Sequence, residues 1–193
     1  MNGAELKQTL KSGGRVFGTM ISIARNPKWI PILDTVGLDY VVIDTEHNYR
    51  SRGELGDFLI MMNTTGVVPI VRIPIPDAHY VTMAMDAGAQ GILAPYCETV
   101  EQVREVVAAA KWRPLKGEAA ERVVLSGEHV SDATRAYLEG RNKNSICIIG
   151  IESEAAVNNL AAMLEVPGID GIFVGPNDMS ISLGSPDQLP PAI

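Results

Sequence analysis

Four consecutive residues, Asp44-Thr45-Glu46-His47, bring two carboxylates and an imidazole together directly after an apolar run. Histidine is the side chain best matched to general-base work near neutral pH, and a neighbouring carboxylate can orient its ring. The plainer reading makes Asp44 a turn cap and His47 a solvated loop residue. Arg72 closes a second apolar run, in Val71-Arg72-Ile73-Pro74. A guanidinium among apolar residues needs an anionic partner. That partner is either a structural carboxylate, Asp44 or Glu46, or a substrate carboxylate or developing oxyanion. Pro74 and Pro76 stiffen the loop that positions it.

Two more carboxylates follow apolar runs: Glu152 in Ile149-Gly150-Ile151-Glu152-Ser153, and Asp178 in Gly175-Pro176-Asn177-Asp178. On adjacent strands they would repel each other, and a divalent cation is the natural neutraliser. Two carboxylates, waters and a chelating substrate make the open octahedral site that Mg2+ or Mn2+ prefers. The alternative is that Asp178 and Ser153 only cap the helices that follow. Lys7, Lys11, Lys28, Lys111, Lys116 and Lys143 all fall outside the expected strands and their immediate ends. A Schiff-base aldolase needs a desolvated lysine inside the barrel, so metal-assisted carbonyl chemistry is the better option. His79 and His129 read as helix and loop surface residues. The sequence shows no Cys/His zinc cluster, no G-x-S-x-G and no G-x-x-x-x-G-K.

The elements that must carry these residues alternate between two patterns. Continuous apolar runs at 16–21, 40–43, 67–71, 91–94, 146–149 and 171–174 read as strands covered on both faces. Helical patterns lie between them. Asn26-Pro27 opens one that reaches Val36-Gly37, and 52–63 makes the second. Asp77 caps a third that ends at Ala87-Gly88, and 99–111 is the fourth. Ser153 caps a fifth that runs through Leu164 to Pro167-Gly168. A βα array implies parallel strands and right-handed crossovers. Without a G-x-G-x-x-G after any strand, an open dinucleotide-binding sheet loses its main support. The polar residues gather after strand ends drawn from several strands, which is where barrel enzymes place their chemistry.

The expected fold is therefore α/β, a (β/α)8 TIM barrel forming a single domain over residues 1–193. Six strands fall short of eight, so the barrel reads as truncated after the sixth, with the chain stopping at Pro190-Pro191-Ala192-Ile193. Such a remnant exposes two sheet edges, which favours association. The long segment 112–144 is expected to be an active-site loop with a short helix at 132–139, or to hide a strand at 123–125.

Composition narrows the function classes. Hydrophobic residues make up 46% and charged residues 20%, which excludes disorder, collagen-like repeats and coiled coils. Sixteen basic against 23 acidic residues leave a net charge of −7, without the basic footprint of a nucleic-acid binder. No apolar run approaches the ~18 residues that span a bilayer, and the first residues lack a signal peptide. Cys97 and Cys147 lie in apolar runs and read as buried thiols of a reducing, cytoplasmic compartment.

At the residues singled out above, the sequence resembles the HpcH/HpaI aldolase family, metal-dependent pyruvate aldolases of the phosphoenolpyruvate/pyruvate barrel superfamily. The matching stretches are 37–47, Val71-Arg72-Ile73-Pro74, 85–91, Ile151-Glu152-Ser153 and 171–180, in the family's order and spacing. The resemblance implies cleavage of a 4-hydroxy-2-oxo acid, of the 2,4-dihydroxyhept-2-ene-1,7-dioate type, to pyruvate and an aldehyde. It makes Glu152 and Asp178 ligands of a divalent metal, Mg2+ or Mn2+, with Co2+ or Zn2+ as alternatives. His47 becomes the catalytic base, and Arg72 steadies the enolate oxygen. The backbone around Asn177 and Asp178, with Gly175 and Pro176, holds the 2-oxo-acid carboxylate. Asp86 matches the acid that raises the basicity of the histidine. It falls at a helix end remote from its own site, so a neighbouring subunit of a homo-oligomer, a hexamer by resemblance, would supply it.

Three departures stand out. Gly150 occupies a position where the family often carries a substrate-contacting Gln. The family's Pro-Pro-x-Gly-x-Arg-Gly loop reads Arg113-Pro-Leu-Lys-Gly-Glu-Ala119 here. The C-terminal part that completes the family's barrel is missing. Two rival readings are a CoA-ester lyase of the same superfamily and a truncated, non-catalytic interaction subunit.

Overall fold

The computed structural model describes residues 1–128 and 131–186, so His129 and the segment Pro190-Pro191-Ala192-Ile193 lie outside the described residues. Its strands are β1 (Gly18–Ile21), β2 (Tyr40–Asp44), β3 (Val68–Arg72), β4 (Gly91–Ala94), β5 (Ile146–Ile151) and β6 (Gly171–Val174). They form one sheet in sequential order, with every neighbouring pair parallel. That order, with helices in the crossovers, is the (β/α) barrel pattern, and the six strands curl into a half-barrel.

Period-2 alternation sorts the strand residues into two layers. Val41, Ile43, Val71, Ile92, Cys147 and Ile149 face outward onto helices α2 (Arg52–Met62), α3 (Ala78–Asp86) and α4 (Val100–Lys111), meeting Phe58, Val81, Val103 and Val107. Val42, Val68, Ile70, Leu93 and Ile146 face inward and pack around Leu6 of α1 (Gly3–Lys11). The chemistry-bearing residues Asp44 and Arg72 continue these inward rows, at Val42 plus two and Ile70 plus two.

Helix α1 is absent from the sequence reading, although Asn2 and Glu5 form a complete capping box at its start. It plugs the N-terminal end of the half-barrel. Gly3 donates its N–H to Gln90 Oε1 (2.8 Å), and Lys7 Nζ donates to the carbonyls of Ser145 (2.9 Å) and Lys143 (3.0 Å). A Cβ on Gly3 would stand 2.0 Å from the Asn144 carbonyl oxygen, so only glycine lets the helix seat this closely.

Two expectations need correction. Pro27–Thr35 is a 3-10 helix rather than an α-helix, because Pro31 inside it supplies no N–H and crowds the preceding turn. The segment 112–144 is neither an open loop nor a strand, although the short helix expected at 132–139 is present. It holds α5 (Gly117–Ser126) and α6 (Asp132–Asn142), and Val123 and Val124 are buried on α5, which packs on α4. Gly127 closes α5 in the left-handed conformation at φ 66°. The remaining helices, α7 (Glu154–Leu164) and α8 (Pro176–Ser182), follow β5 and β6. Both cysteines are free and fully buried as expected, and burial pushes each thiol up to about 12. Among the described residues no helix is long and apolar enough to cross a membrane.

Candidate active site

The C-terminal ends of β2 and β3 deliver a buried ion pair. Their parallel register sets Asp44 beside Arg72, both on the inward face. Arg72 Nε donates to Asp44 Oδ1 at 2.8 Å, and Arg72 Nη1 lies 3.1 Å from Glu46 Oε2. The chain turns around the Asp44 carboxylate, which also accepts the backbone N–H of Glu46 (3.1 Å) and His47 (3.4 Å) and the Asn48 amide (2.5 Å). Thr45 ties this turn to β3 by donating its N–H and hydroxyl to the Arg72 carbonyl, at 3.0 and 2.6 Å. Asp44 is 1% exposed. Burial alone would raise its pKa, but the hydrogen bonds from Arg72 and Asn48 and the guanidinium charge outweigh it and hold the carboxyl below its ordinary range.

Both anionic partners that the sequence offered Arg72 are therefore engaged. Its Nη2 takes no partner among the described residues, and this donor remains for a ligand. Burial disfavours the guanidinium charge, yet the Asp44, Glu46 and Glu152 carboxylates more than compensate and hold it firmly protonated. Glu46 is the opposite case: burial pushes its carboxyl above the usual range, and the Glu152 and Asp44 charges add to this against the pull of Arg72 and His47. His47 stands over Glu46, Nε2 to Oε2 at 3.6 Å, with 65% of its side chain exposed.

Glu152 caps the end of β5 and is 7% exposed. Two glycines make room for it. A Cβ on Gly150 would meet Glu152 Oε1 at 2.6 Å and the backbone of Pro95 and Tyr96 at 2.9 and 3.0 Å. A Cβ on Gly175 would meet Glu152 Cγ at 2.9 Å. Tyr96, at a positive φ of 32°, turns the end of β4 so that its backbone N–H reaches the Glu152 carboxylate. Even so, Glu152 Oε1 is buried with no hydrogen-bond partner. Burial raises the Glu152 pKa, and the charge of Asp178 from the first turn of α8 raises it further.

The structure thus brings Asp44, Glu46, His47, Arg72, Glu152 and Asp178 to one end of the half-barrel. Gly175, Pro176 and Asn177 lie on the turn that carries Asp178. Ser153 caps α7, whereas Asp178 does not cap α8, whose cap residue is Gly175. Asp86 is not in this group. It ends α3, which runs from the C-terminal end of β3 back toward the N-terminal end of β4, and it pairs with Arg113 Nη1 at 3.2 Å. Lys7, whose pKa burial lowers, and Lys111, paired with Asp170, sit at the opposite end of the strands. No lysine is placed for Schiff-base chemistry among the described residues of the site. His79 lies exposed in the first turn of α3 against Tyr80.

No group of three or more His, Cys, Asp or Glu side chains suited to a metal ion occurs among the described residues. The pair Glu152 and Asp178 nevertheless fits a divalent cation by its chemistry. Both are hard oxygen donors, they repel each other, and Glu152 keeps an orphan buried oxygen. Sequence reasoning took Gly150 for a lost side chain; the structure shows it as half of the slot that admits Glu152.

A family model for "HpcH/HpaI aldolase/citrate lyase" matches residues 19–189. The chain is 32% identical over 178 residues to a hydroxypyruvate/pyruvate aldolase of Roseobacter denitrificans, covering 92% of this chain and 69% of that protein. It is 34% identical over 187 residues to a 2-keto-3-deoxy-L-rhamnonate aldolase of Salmonella gallinarum, covering 94% and 67%. Among solved structures, an HpcH/HpaI aldolase from Desulfitobacterium hafniense superimposes with a TM-score of 0.78 at 32% identity, covering 95% of this chain and 70% of that one. The citrate synthase SbnG gives 0.78 at 29% identity, with the same coverage.

Proposed function

The chain belongs to the HpcH/HpaI aldolase/citrate lyase family, and from that membership and the geometry of its site we propose that it is a metal-dependent carbon–carbon lyase cleaving a 4-hydroxy-2-oxo acid to pyruvate and an aldehyde. The observation that carries this reading is the opposition of two groups across the site. Arg72 presents a free Nη2 on a guanidinium whose Nε and Nη1 are held by two carboxylates, and Glu152 keeps an orphan oxygen beside Asp178.

A divalent cation on Glu152 and Asp178 would supply Lewis-acid polarisation of the 2-oxo group. The protein's own residues account for the rest. His47, directly or through a water, accepts the proton of the 4-hydroxyl group. The C3–C4 bond then breaks, its electron pair moving onto C3 and the ketone oxygen, and an aldehyde leaves. Arg72 Nη2 donates to the developing enolate oxygen. Because Asp44 and Glu46 already fix the guanidinium, this stabilisation needs little reorganisation. Proton return to C3 completes pyruvate. Asp86 does not reach His47 within one chain, so its part in the reaction belongs to a homo-oligomer in which a second copy presents it.

Enolate formation can be tested without knowing the aldehyde. Pyruvate is incubated with the protein in D2O, with and without Mg2+ or Mn2+, and the methyl signal is followed by NMR. The reading expects metal-dependent exchange that chelator and Arg72→Ala abolish. Exchange that persists at full rate in Arg72→Ala would overturn it. The citrate synthase among the similar structures marks a second reading, enolate addition to another acceptor. Exchange without cleavage of any 4-hydroxy-2-oxo acid would favour that one.

A further inference from the structure

Among the described residues Tyr96 is the one non-glycine residue at positive φ. A left-handed backbone suits glycine and strains a residue with a bulky side chain. Such strain persists only where the surroundings fix it, and it gathers at functional sites. Both neighbours fix it here. Pro95 and Cys97 are buried, and the Cys97 N–H donates to the Gly150 carbonyl at 2.9 Å. The Tyr96 N–H is taken up by the Glu152 carboxylate. Glycine would supply that N–H equally well and without strain. The ring belongs to neither layer of the core and is 36% exposed, so packing does not explain it either. What a tyrosine adds at this turn is a hydroxyl.

The strand order says where that hydroxyl stands. Tyr96 follows β4, which lies between β3 and β5. Leu93 of β4 is level with Arg72, the last residue of β3, and Glu152 directly follows β5. Tyr96 therefore sits between the two groups that oppose each other across the site. Its hydroxyl makes no hydrogen bond among the described residues. Burial, together with the Glu46 and Glu152 charges that act on it, raises its pKa above the ordinary value of 10 and keeps it a donor. Glu46 is the carboxylate that holds Arg72 Nη1 at 3.1 Å. A donor that feels both Glu46 and Glu152 lies beside Arg72 Nη2, on the side toward Glu152.

We propose that the Tyr96 hydroxyl is a second donor to the enolate oxygen, beside Arg72 Nη2, and that the strained turn after β4 is kept in order to aim it. As the C3–C4 bond breaks and its electron pair moves toward the ketone oxygen, the phenol hydrogen bond strengthens and no proton leaves the phenol. A donor fixed in place before charge develops is effective because nothing has to reorganise. This rests on the aldolase reading and adds a catalytic residue to it.

Tyr96→Phe keeps the ring and the turn and removes one oxygen atom. Methyl exchange of pyruvate in D2O with Mg2+ should slow about 10- to 100-fold in kcat with KM little changed, the worth of a hydrogen bond to a charged group made in the transition state. Oxalate, a planar dianion shaped like the enolate, should bind the Phe variant more weakly by a similar factor in calorimetry. The melting temperature and the Mg2+ affinity should stay native. Tyr96→Gly, which suits the left-handed backbone but carries no hydroxyl, should be at least as slow as Tyr96→Phe. A native exchange rate in either variant overturns the assignment. A loss that appears in Mg2+ affinity makes the hydroxyl a partner of Glu152 and overturns it as well. Native protein that shows no exchange overturns the aldolase reading and this inference with it, whereas native exchange matched by the Phe variant overturns this inference alone.

Discussion

Replacing Glu152 by Gln should make the metal-free protein more stable, and the reason lies in its surroundings. The side chain is 7% exposed, Oε1 has no partner, and Asp178 adds a repelling charge. The folded-state pKa is raised above the ordinary value of 4.5, so the native state binds the proton better than the unfolded chain does. Ionised Glu152 therefore costs stability above its folded pKa. That cost is relieved as pH falls through the folded pKa and is gone below 4.5. An unsatisfied buried polar group costs about 1–3 kcal/mol. Gln keeps the shape and replaces the charge with a neutral amide, whose two N–H donors offset part of the relief, so a gain of about 1 kcal/mol is expected, roughly 2–4 °C in Tm for a chain of this size. Thermal melts with chelator at pH 7.5 and pH 5 measure it, and the advantage of the variant should shrink at the lower pH. Added Mn2+ should reverse the order, because ligand at 100 times Kd stabilises the native protein by about 2.7 kcal/mol and the variant has lost a ligand. A variant that melts below the native protein at pH 7.5, or an advantage that does not shrink in acid, would refute the argument.

Asp44→Ala strands the buried Arg72 and unpicks the turn to Asn48, so a loss of about 3–5 kcal/mol is expected in urea titration. The Asp44 pKa is lowered in the folded state, so its contribution is present above its ordinary value of 3.8 and is lost as pH falls through the lower folded value. Gly150→Ala should cost about 1–3 kcal/mol by crowding Glu152 and the Pro95–Tyr96 backbone. Gly56→Ala, in the middle of α2 with nothing within 4 Å of the added carbon, should instead gain about 0.5–1 kcal/mol in the same melts.

The strands and the strand-end polar residues were legible because their signals are local. A buried parallel strand needs a run such as Val41-Val42-Ile43, and the polar residue that ends it is delivered to one end of the barrel. What local reading missed depends on distant partners. The Gly3–Lys11 helix carries a local start signal in its Asn2–Glu5 capping box, but its seat depends on Gln90, Ser145 and Lys143, far along the chain. Val123 and Val124 are good strand formers that tertiary packing on α4 holds in a helix. Gly150 acquires its meaning only when Pro95, Tyr96 and Gly175 are seen closing on Glu152.

The Asp44–Arg72 pair has one more consequence, for how the sheet assembles. Slipping β3 by one residue against β2 would turn its apolar side chains to the wrong face, so hydrophobicity alone forbids it. A slip of two residues keeps every side chain on its proper face, and burial hardly distinguishes it from the native alignment. It would, however, set Asp44 opposite Ile70 or Pro74 in place of its native partner Arg72 and leave two charges buried alone. The ion pair thus proofreads the alignment that hydrophobic patterning leaves degenerate, and the same contact that readies Arg72 for substrate also tells the chain which of its near-identical pairings is correct.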